Sequence, residues 1–210
     1  YTTGNTLSLH DALPISTHKR CIRKRLDSRF FPNRKAKWEA IARDVRELND
    51  QGRPVLLGTS SVEASEQLAA HLEKAGVSFQ LLNAKEHREE AEIVEKAGQR
   101  GSVTIATNMA GRGTDIKLGP GVAEMGGLHV VAAERMESSR VDRQLQGRAG
   151  RQGDPGSART YVSLEDDLLQ MHHARQTLRQ CSHALRSRSP GGKGMAQLLT
   201  NQAQRAQEKK

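Results

Sequence analysis

Pro54-Val-Leu-Leu-Gly58, then Ser60-Ser-Val-Glu63, then an apolar-periodic run through Leu68 and Leu72 to Gly76, reads as one β-strand feeding one α-helix. The apolar run is short and uninterrupted, as in a strand buried on both faces. Ser60 and Glu63 have the spacing of a capping box, and a glycine closes the helical stretch. The unit repeats downstream. Phe79–Leu82 is a strand followed by a helix from about Glu86 to Ala97, and Val103–Thr107 is a strand followed by a polar loop. Leu128–Ala133 is a strand followed by a helix from about Ser138, and Tyr161–Leu164 is the last strand. Upstream, Trp38, Ile41, Ala42, Val45 and Leu48 recur at helical spacing between a candidate N-cap, Asn33, and Gly52. Alternating strands and helices predict an α/β fold, a parallel sheet with helices on both faces. Such sheets take ligands at the carboxyl ends of their strands, which points to the loops after residues 58, 107 and 134.

The chain has 210 residues, a formal charge of +9 and 2 cysteines. That length buries one ordinary domain, with room for part of a second. No apolar run approaches the ~20 residues of a membrane-spanning helix. Cys21 and Cys181 have neither a CxxC pattern nor a Cys/His cluster around them, so no disulfide framework or zinc site is indicated and a reducing compartment is the expectation. The charge is unevenly spread: residues 17–53 carry +7, residues 54–168 carry −4 and residues 169–210 carry +7. An acidic middle with basic flanks argues against a surface that tracks nucleic acid.

Residues 7–15, Leu-Ser-Leu-His-Asp-Ala-Leu-Pro-Ile, are what results from translating a standard short-read sequencing adapter. Residues 1–16 are therefore expected to be a sequencing artefact rather than part of the fold. At the other end, residues 169–195 are rich in Arg, Gln, Ser and Gly with a breaker at Ser189-Pro-Gly-Gly192, and read as a linker or insertion. Residues 196–210 read as the start of a long polar helix.

Two motifs carry chemistry. In Thr104-Ile-Ala-Thr-Asn-Met-Ala-Gly-Arg-Gly-Thr-Asp-Ile116 a strand runs into a loop where Gly111 and Gly113 flank Arg112. Glycines let backbone approach a phosphate, the arginine neutralises its charge, and Asp115 can accept from a ribose hydroxyl or orient the arginine. In Gln144-Leu-Gln-Gly-Arg148-Ala-Gly-Arg151-Gln-Gly-Asp154, Arg148 and Arg151 are three apart. On a helix they share one face and have arginine-finger spacing, with Gln144 one turn earlier to position water. No G-x-x-x-x-G-K-[ST] loop occurs, so this stretch is not expected to hold Mg2+ and ATP alone. Glu165-Asp166-Asp167 is read as acidic residues complementing a helix dipole, His172 and His173 as exposed, and Trp38 as a core anchor.

These motifs resemble motifs V and VI of superfamily-2 motor ATPases. The resemblance narrows with Asn83-Ala-Lys-Glu-His87, Glu90-Ala-Glu-Ile-Val94, Ala97-Gly98, Lys117-Leu-Gly119, Gly126-Gly-Leu-His129, Glu134-Arg135, Gln144 to Gly156 and Ser163-Leu-Glu-Asp-Asp167. In this order they resemble the SecA family of preprotein-translocase motors over roughly residues 20–168. The resemblance implies a RecA-like second nucleotide-binding domain at 38–168, a connector from a preprotein-binding domain at 17–37 and the start of a helical scaffold at 196–210. It implies that Asp115 contacts the nucleotide with Arg112, Gly111 and Gly113 beside it. Arg148 and Arg151 would sense the γ-phosphate, and ATP and Mg2+ would be held mainly by a first domain outside this stretch. Implied partners are unfolded preprotein, the SecYEG channel, an anionic membrane surface and a possible homodimer, with no nucleic acid. The implied location is the cytoplasm and the inner face of the bacterial cell membrane. Met136 and Ser139 stand where the family usually has His and Arg, and the stretch after Leu169 lacks the family's aromatic continuation. Two other readings compete: the second lobe of a superfamily-2 nucleic-acid helicase, and a non-catalytic module with vestigial nucleotide motifs.

Overall fold

A computed structural model describes residues 19–82, 93–107 and 115–209. The elements are β1 (Lys24–Arg25), β2 (Arg29–Phe31), α1 (Arg34–Asp50), β3 (Val55–Thr59), α2 (Val62–Lys74), β4 (Gln80–Leu82), β5 (Val103–Thr107) and β6 (Leu128–Ala132). They continue with α3 (Ser139–Gln146), β7 (Gly156–Ser163), α4 (Asp167–His172), α5 (Arg175–Arg186) and α6 (Pro190–Glu208). Residues 93–96 are also helical, and the rest of the helix expected from Glu86 lies outside the described residues.

All described strand pairs are parallel, in the order β1-β7-β6-β3-β5-β4, and β2 also pairs with β7. Alternation along each strand sends side chains to opposite faces. Val55 and Leu57 of β3 pack with Trp38, Ile41 and Val45 of α1 and with Leu68 and Leu72 of α2. Leu56 packs on the other face with Val130, Leu145 and Ala149. The sheet is thus covered on both sides, as the alternating pattern predicts.

Two caps are as read and one is shifted. Asn33 Oδ1 accepts from Ala36 N at 2.8 Å and Gly52 follows the C-cap of α1. The cap of α2 is Ser61, accepting from Ala64 N, one residue past the expected box, because Ser60 N donates to Glu134 Oε1 instead. Strand β7 begins at Gly156, five residues before the expected start, and its Gly-Ser-Ala opening is held by β6 on one side and β1 on the other. Strands β1 and β2 run along the same edge of β7. Asp44 of α1 fastens that edge, accepting from both Arg29 Nη1 (2.7 Å) and the Tyr161 hydroxyl.

The stretch whose composition reads as linker folds into helices. Leu178, Cys181 and Leu185 of α5 give it one apolar face, which packs with Val162, Leu164, Leu169, Ala196 and Leu199. Four apolar residues among twelve, three of them on the packed face, are enough for burial but too few for the periodicity to stand out. The Ser189-Pro-Gly-Gly192 breaker is the start of α6, with Pro190 in the first turn, where its missing N–H costs nothing. His172 and His173 are half-buried rather than exposed, and their Nε2 atoms are hydrogen-bonded to Gln207 Oε1 (2.9 Å) and the Leu199 carbonyl (2.8 Å).

Beneath the amino ends of the strands, Arg53 Nη2 donates to Ser157 Oγ and to the Gly126 carbonyl, and Nε donates to the Gly127 carbonyl. His129 Nδ1 is bonded to the same Ser157 hydroxyl at 2.6 Å. Burial, and then the charges of Arg53 and Arg159, push the His129 imidazole down from 6.5 to about 3. A folded-state value below the unfolded one means the contribution is complete above about pH 6.5 and is lost as the pH falls toward 3. The His129 share, read as the change with pH of the difference in urea unfolding free energy between wild type and a His129→Gln variant, is expected to be about 3–5 kcal/mol lost on acidification through that window. Asp166, raised to about 6, works in the opposite direction in both proteins.

Candidate functional site

Helix α3 starts at its N-cap Ser138 and stops at Gln146, where the cap residue Gly147 donates to the Arg143 carbonyl. Gln144 is exposed on its last turn, and Arg148, half-buried, lies just past the cap with its N–H on the Leu145 carbonyl at 3.0 Å. Arg151 is further on, in the loop leading to β7. The two arginines therefore do not share a helical face as the spacing suggests. The reason is Gly150, at φ +65°, where the chain turns against residues before β1. A Cβ on Gly150 would meet Arg23 Cβ at 2.7 Å, and Arg23 Nη1 donates to the Ala149 carbonyl at 2.9 Å.

The two motifs meet in one ion pair. Arg151 Nη1 donates to Asp115 Oδ1 at 2.7 Å and its Nε to the Gly147 carbonyl at 3.2 Å. Gln152 Nε2 reaches the other carboxylate oxygen at 3.3 Å. Both partners are rather more than a third exposed, so the pair orients side chains more than it stabilises the fold. Asp115 was a candidate to orient an arginine, and the described partner is Arg151. Gly111, Arg112 and Gly113 lie outside the described residues. Around the pair is a cavity of about 800 Å³ lined by Lys19, Cys21, Asp115, Gly150, Arg151, Gln152 and Gly153. Lys19 and Cys21 carry no sequence signal; pairing of β1 with β7 brings them there.

This site is not at the carboxyl ends of the strands. The chain after Asp115 turns back over the sheet: Ile116 packs with Leu145 and Ala149, and Gly119 N donates to the Gly98 carbonyl at 3.0 Å. Gly150 lies against Gly156, the first residue of β7. The carboxyl ends hold two ion pairs instead, one buried and one at the surface. Lys37 and Asp166 are both buried and bonded to each other, and Arg34 pairs with Asp167. Burial, opposed by Lys37, pushes the Asp166 carboxyl up to about 6. Asp166 is the N-cap residue of α4 with Asp167 in its first turn, as the sequence context suggests, and is in addition an ion-pair partner in the interior. Lys37 Nζ also sits 4.2 Å from the Trp38 ring centroid.

A second buried carboxylate fixes α3. Asp142 accepts from Arg135 Nη1 at 2.8 Å, Met136 N at 3.1 Å and Gln204 Nε2 of α6 at 2.7 Å. Gln204 Nε2 also donates to the Met136 carbonyl, and Glu208 Oε1 accepts from Ser139 N at 2.6 Å. The last turns of α6 therefore grip the first turn of the helix that carries Gln144. An aspartate three residues before Leu145, both buried, was the available signal: an acid on the apolar side of a helix needs partners.

Solved structures share this architecture. The Escherichia coli DEAD-box protein SrmB, in a complex with RraA, superposes with a TM-score of 0.56 at 21% identity over 70% of this chain and 81% of that one. Mss116p DEAD-box helicase domain 2, bound to an RNA duplex, gives 0.55 at 14% identity over 75% and 59%. At such identities the likeness is one of fold, and the chain has the RecA-like parallel sheet of helicase-type lobes, extended by C-terminal helices. The family described as SecA P-loop domain matches residues 20–122 and 119–186, and the chain belongs to the SecA family. Protein translocase subunit SecA of Thermotoga petrophila is 57% identical over 166 residues, covering 79% of this chain. That of Nitratidesulfovibrio vulgaris strain Miyazaki F is 58% identical over 159 residues, covering 76%. The chain spans 19% of the length of either relative.

Replacing Asp142 by Ala leaves the Met136 amide, Arg135 and Gln204 short of their acceptor in a buried place. The expected cost is about 3 kcal/mol, read as a lower urea midpoint at unchanged slope.

Proposed function

We propose that this chain is the second nucleotide-binding lobe of a protein-translocating ATPase. On this reading residues 38–168 form the lobe, residues 17–37 arrive from a preprotein-binding domain, and residues 196–210 begin a helical scaffold. The observation that carries it is the Asp115–Arg151 pair, which joins the two nucleotide-type motifs at the rim of one cavity. The lining suits a phosphate group: Arg151 and Lys19 supply positive charge. Gly150 and Gly153, both at positive φ, let residues 19–23 come close and so bring Lys19 to the cavity, since a Cβ on Gly153 would meet Lys19 Cβ at 2.8 Å.

ATP with Mg2+, when bound, supplies the phosphoryl group and most of the charge to be neutralised. The residues of this chain bind and orient. Asp115 holds the Arg151 guanidinium in place and contacts the nucleotide, with Gly111, Arg112 and Gly113 beside it. Arg148 and Arg151 place charge against the phosphoryl group, and Gln144 orients water. The first lobe, with its own phosphate loop, forms the opposite wall. Nucleotide-dependent closure of the two lobes drives unfolded preprotein through the SecYEG channel. The motor is cytoplasmic and peripheral at the inner face of the bacterial membrane, attracted by anionic lipid, and can pair as a homodimer. Among the described residues no helix is long and apolar enough to cross a membrane.

In the full-length protein, Arg148→Ala or Arg151→Ala is expected to lower ATP turnover by roughly 10³-fold while nucleotide affinity changes much less. Near wild-type turnover in both variants overturns the assignment. The 210-residue chain alone, which has no G-x-x-x-x-G-K-[ST] loop, is expected to hydrolyse no ATP above buffer.

A further inference from the structure

Helix α5 carries Arg175, Arg179 and Arg186 with no acidic residue in its twelve positions. With Ser182 they fall at i, i+4, i+7 and i+11, one continuous helical face about 17 Å long at 1.5 Å per residue. All three arginines are exposed, and among the described residues none of their side chains makes an ion pair or a hydrogen bond. This face is one wall of a groove of about 660 Å³. Leu164 and Leu178 contribute apolar lining, and the remaining charged lining is Arg34, Glu165 and Asp167.

The second set of charges is already committed. Asp167 pairs with Arg34, and Glu165 Oε2 accepts from the Arg34 amide at 2.9 Å. With four arginines against two carboxylates the groove is net positive, and the arginines outside ion pairs are those of α5. Three guanidinium forks one turn or two apart, above an apolar floor, match a peptide that presents carboxylates in successive turns with small apolar residues between. A nucleic acid fits less well: the groove has no aromatic lining on which a base could stack. A bilayer surface does not enter a groove.

We propose that the groove beside α5 docks an acidic peptide segment of a partner protein, with Arg175, Arg179 and Arg186 as its carboxylate-binding residues. This surface is separate from the Asp115–Arg151 cavity and does not depend on the nucleotide reading.

The test uses the whole 210-residue chain and a short fluorescein-labelled peptide with a glutamate in every helical turn and alanine between, followed by anisotropy. Its glutamine counterpart, a single-stranded oligonucleotide and phosphatidylglycerol vesicles serve as competing probes. The glutamate peptide should bind, more weakly as salt rises, and the glutamine peptide should not. The double variant Arg175→Glu/Arg179→Glu should weaken binding about tenfold or more. Arg205→Glu, an exposed basic residue on α6, should leave binding unchanged; circular dichroism melts check that both variants fold. Equal loss in Arg205→Glu and in the double variant would mean unspecific charge attraction and overturns the proposal. So does binding of the oligonucleotide or the vesicles, but not the peptide, through the same arginines, or no binding of any probe.

Discussion

Every described strand of the sheet runs the same way, so each return of the chain has to cross a face of the sheet before the next strand can pair. The packing follows from that constraint. Helices α1 and α2 cover one face and α3 the other, and each face needs its own set of alternate strand residues. Strand β7 bears most of the consequence, since it pairs with β6 along one side and with β1 and β2 in turn along the other. The edge added by β1 and β2 draws residues 19–23 against the turn at Gly150, and this gives the Asp115–Arg151 cavity its outer wall.

The fold class and strands β3, β5 and β6 were legible because fully buried parallel strands write themselves as short apolar runs; β1 and β2, exposed or half-buried at the edge, and the Gly-Ser-Ala opening of β7 leave no such run. The cap at Asn33 was legible because its geometry is local. Asp115 and Arg151 were singled out separately, but their pairing across 36 positions depends on tertiary structure and left no pattern. The end of α3 is hidden in the sequence because Gly147 and Gly150 also belong to the arginine motif, although a glycine followed by a positive-φ turn ends a helix. Helix α5 is hard to see in the sequence because its arginines and glutamines dominate the composition while three apolar residues do the packing.

The charge count of the sequence also changes meaning in three dimensions. Several of the acids that make residues 54–168 negative are inside: Glu134, Asp142 and Asp166 are all buried. Each ties together segments far apart in the chain, Asp166 to α1 and Asp142 to α6. The surface of the middle segment is accordingly less acidic than its formal charge, and the basic excess of the C-terminal flank is concentrated in part on one helix.

The Lys37–Trp38 stack has an optical consequence. Trp38 is the chain's single tryptophan, almost completely enclosed, with an ammonium group over its ring and its indole N–H without a partner among the described residues. Its emission therefore comes from one place, the packing of α1 on the sheet beside the Lys37–Asp166 pair. Excited near the red edge of its absorption, this indole is a built-in reporter whose colour and brightness follow the seating of α1, with no label attached.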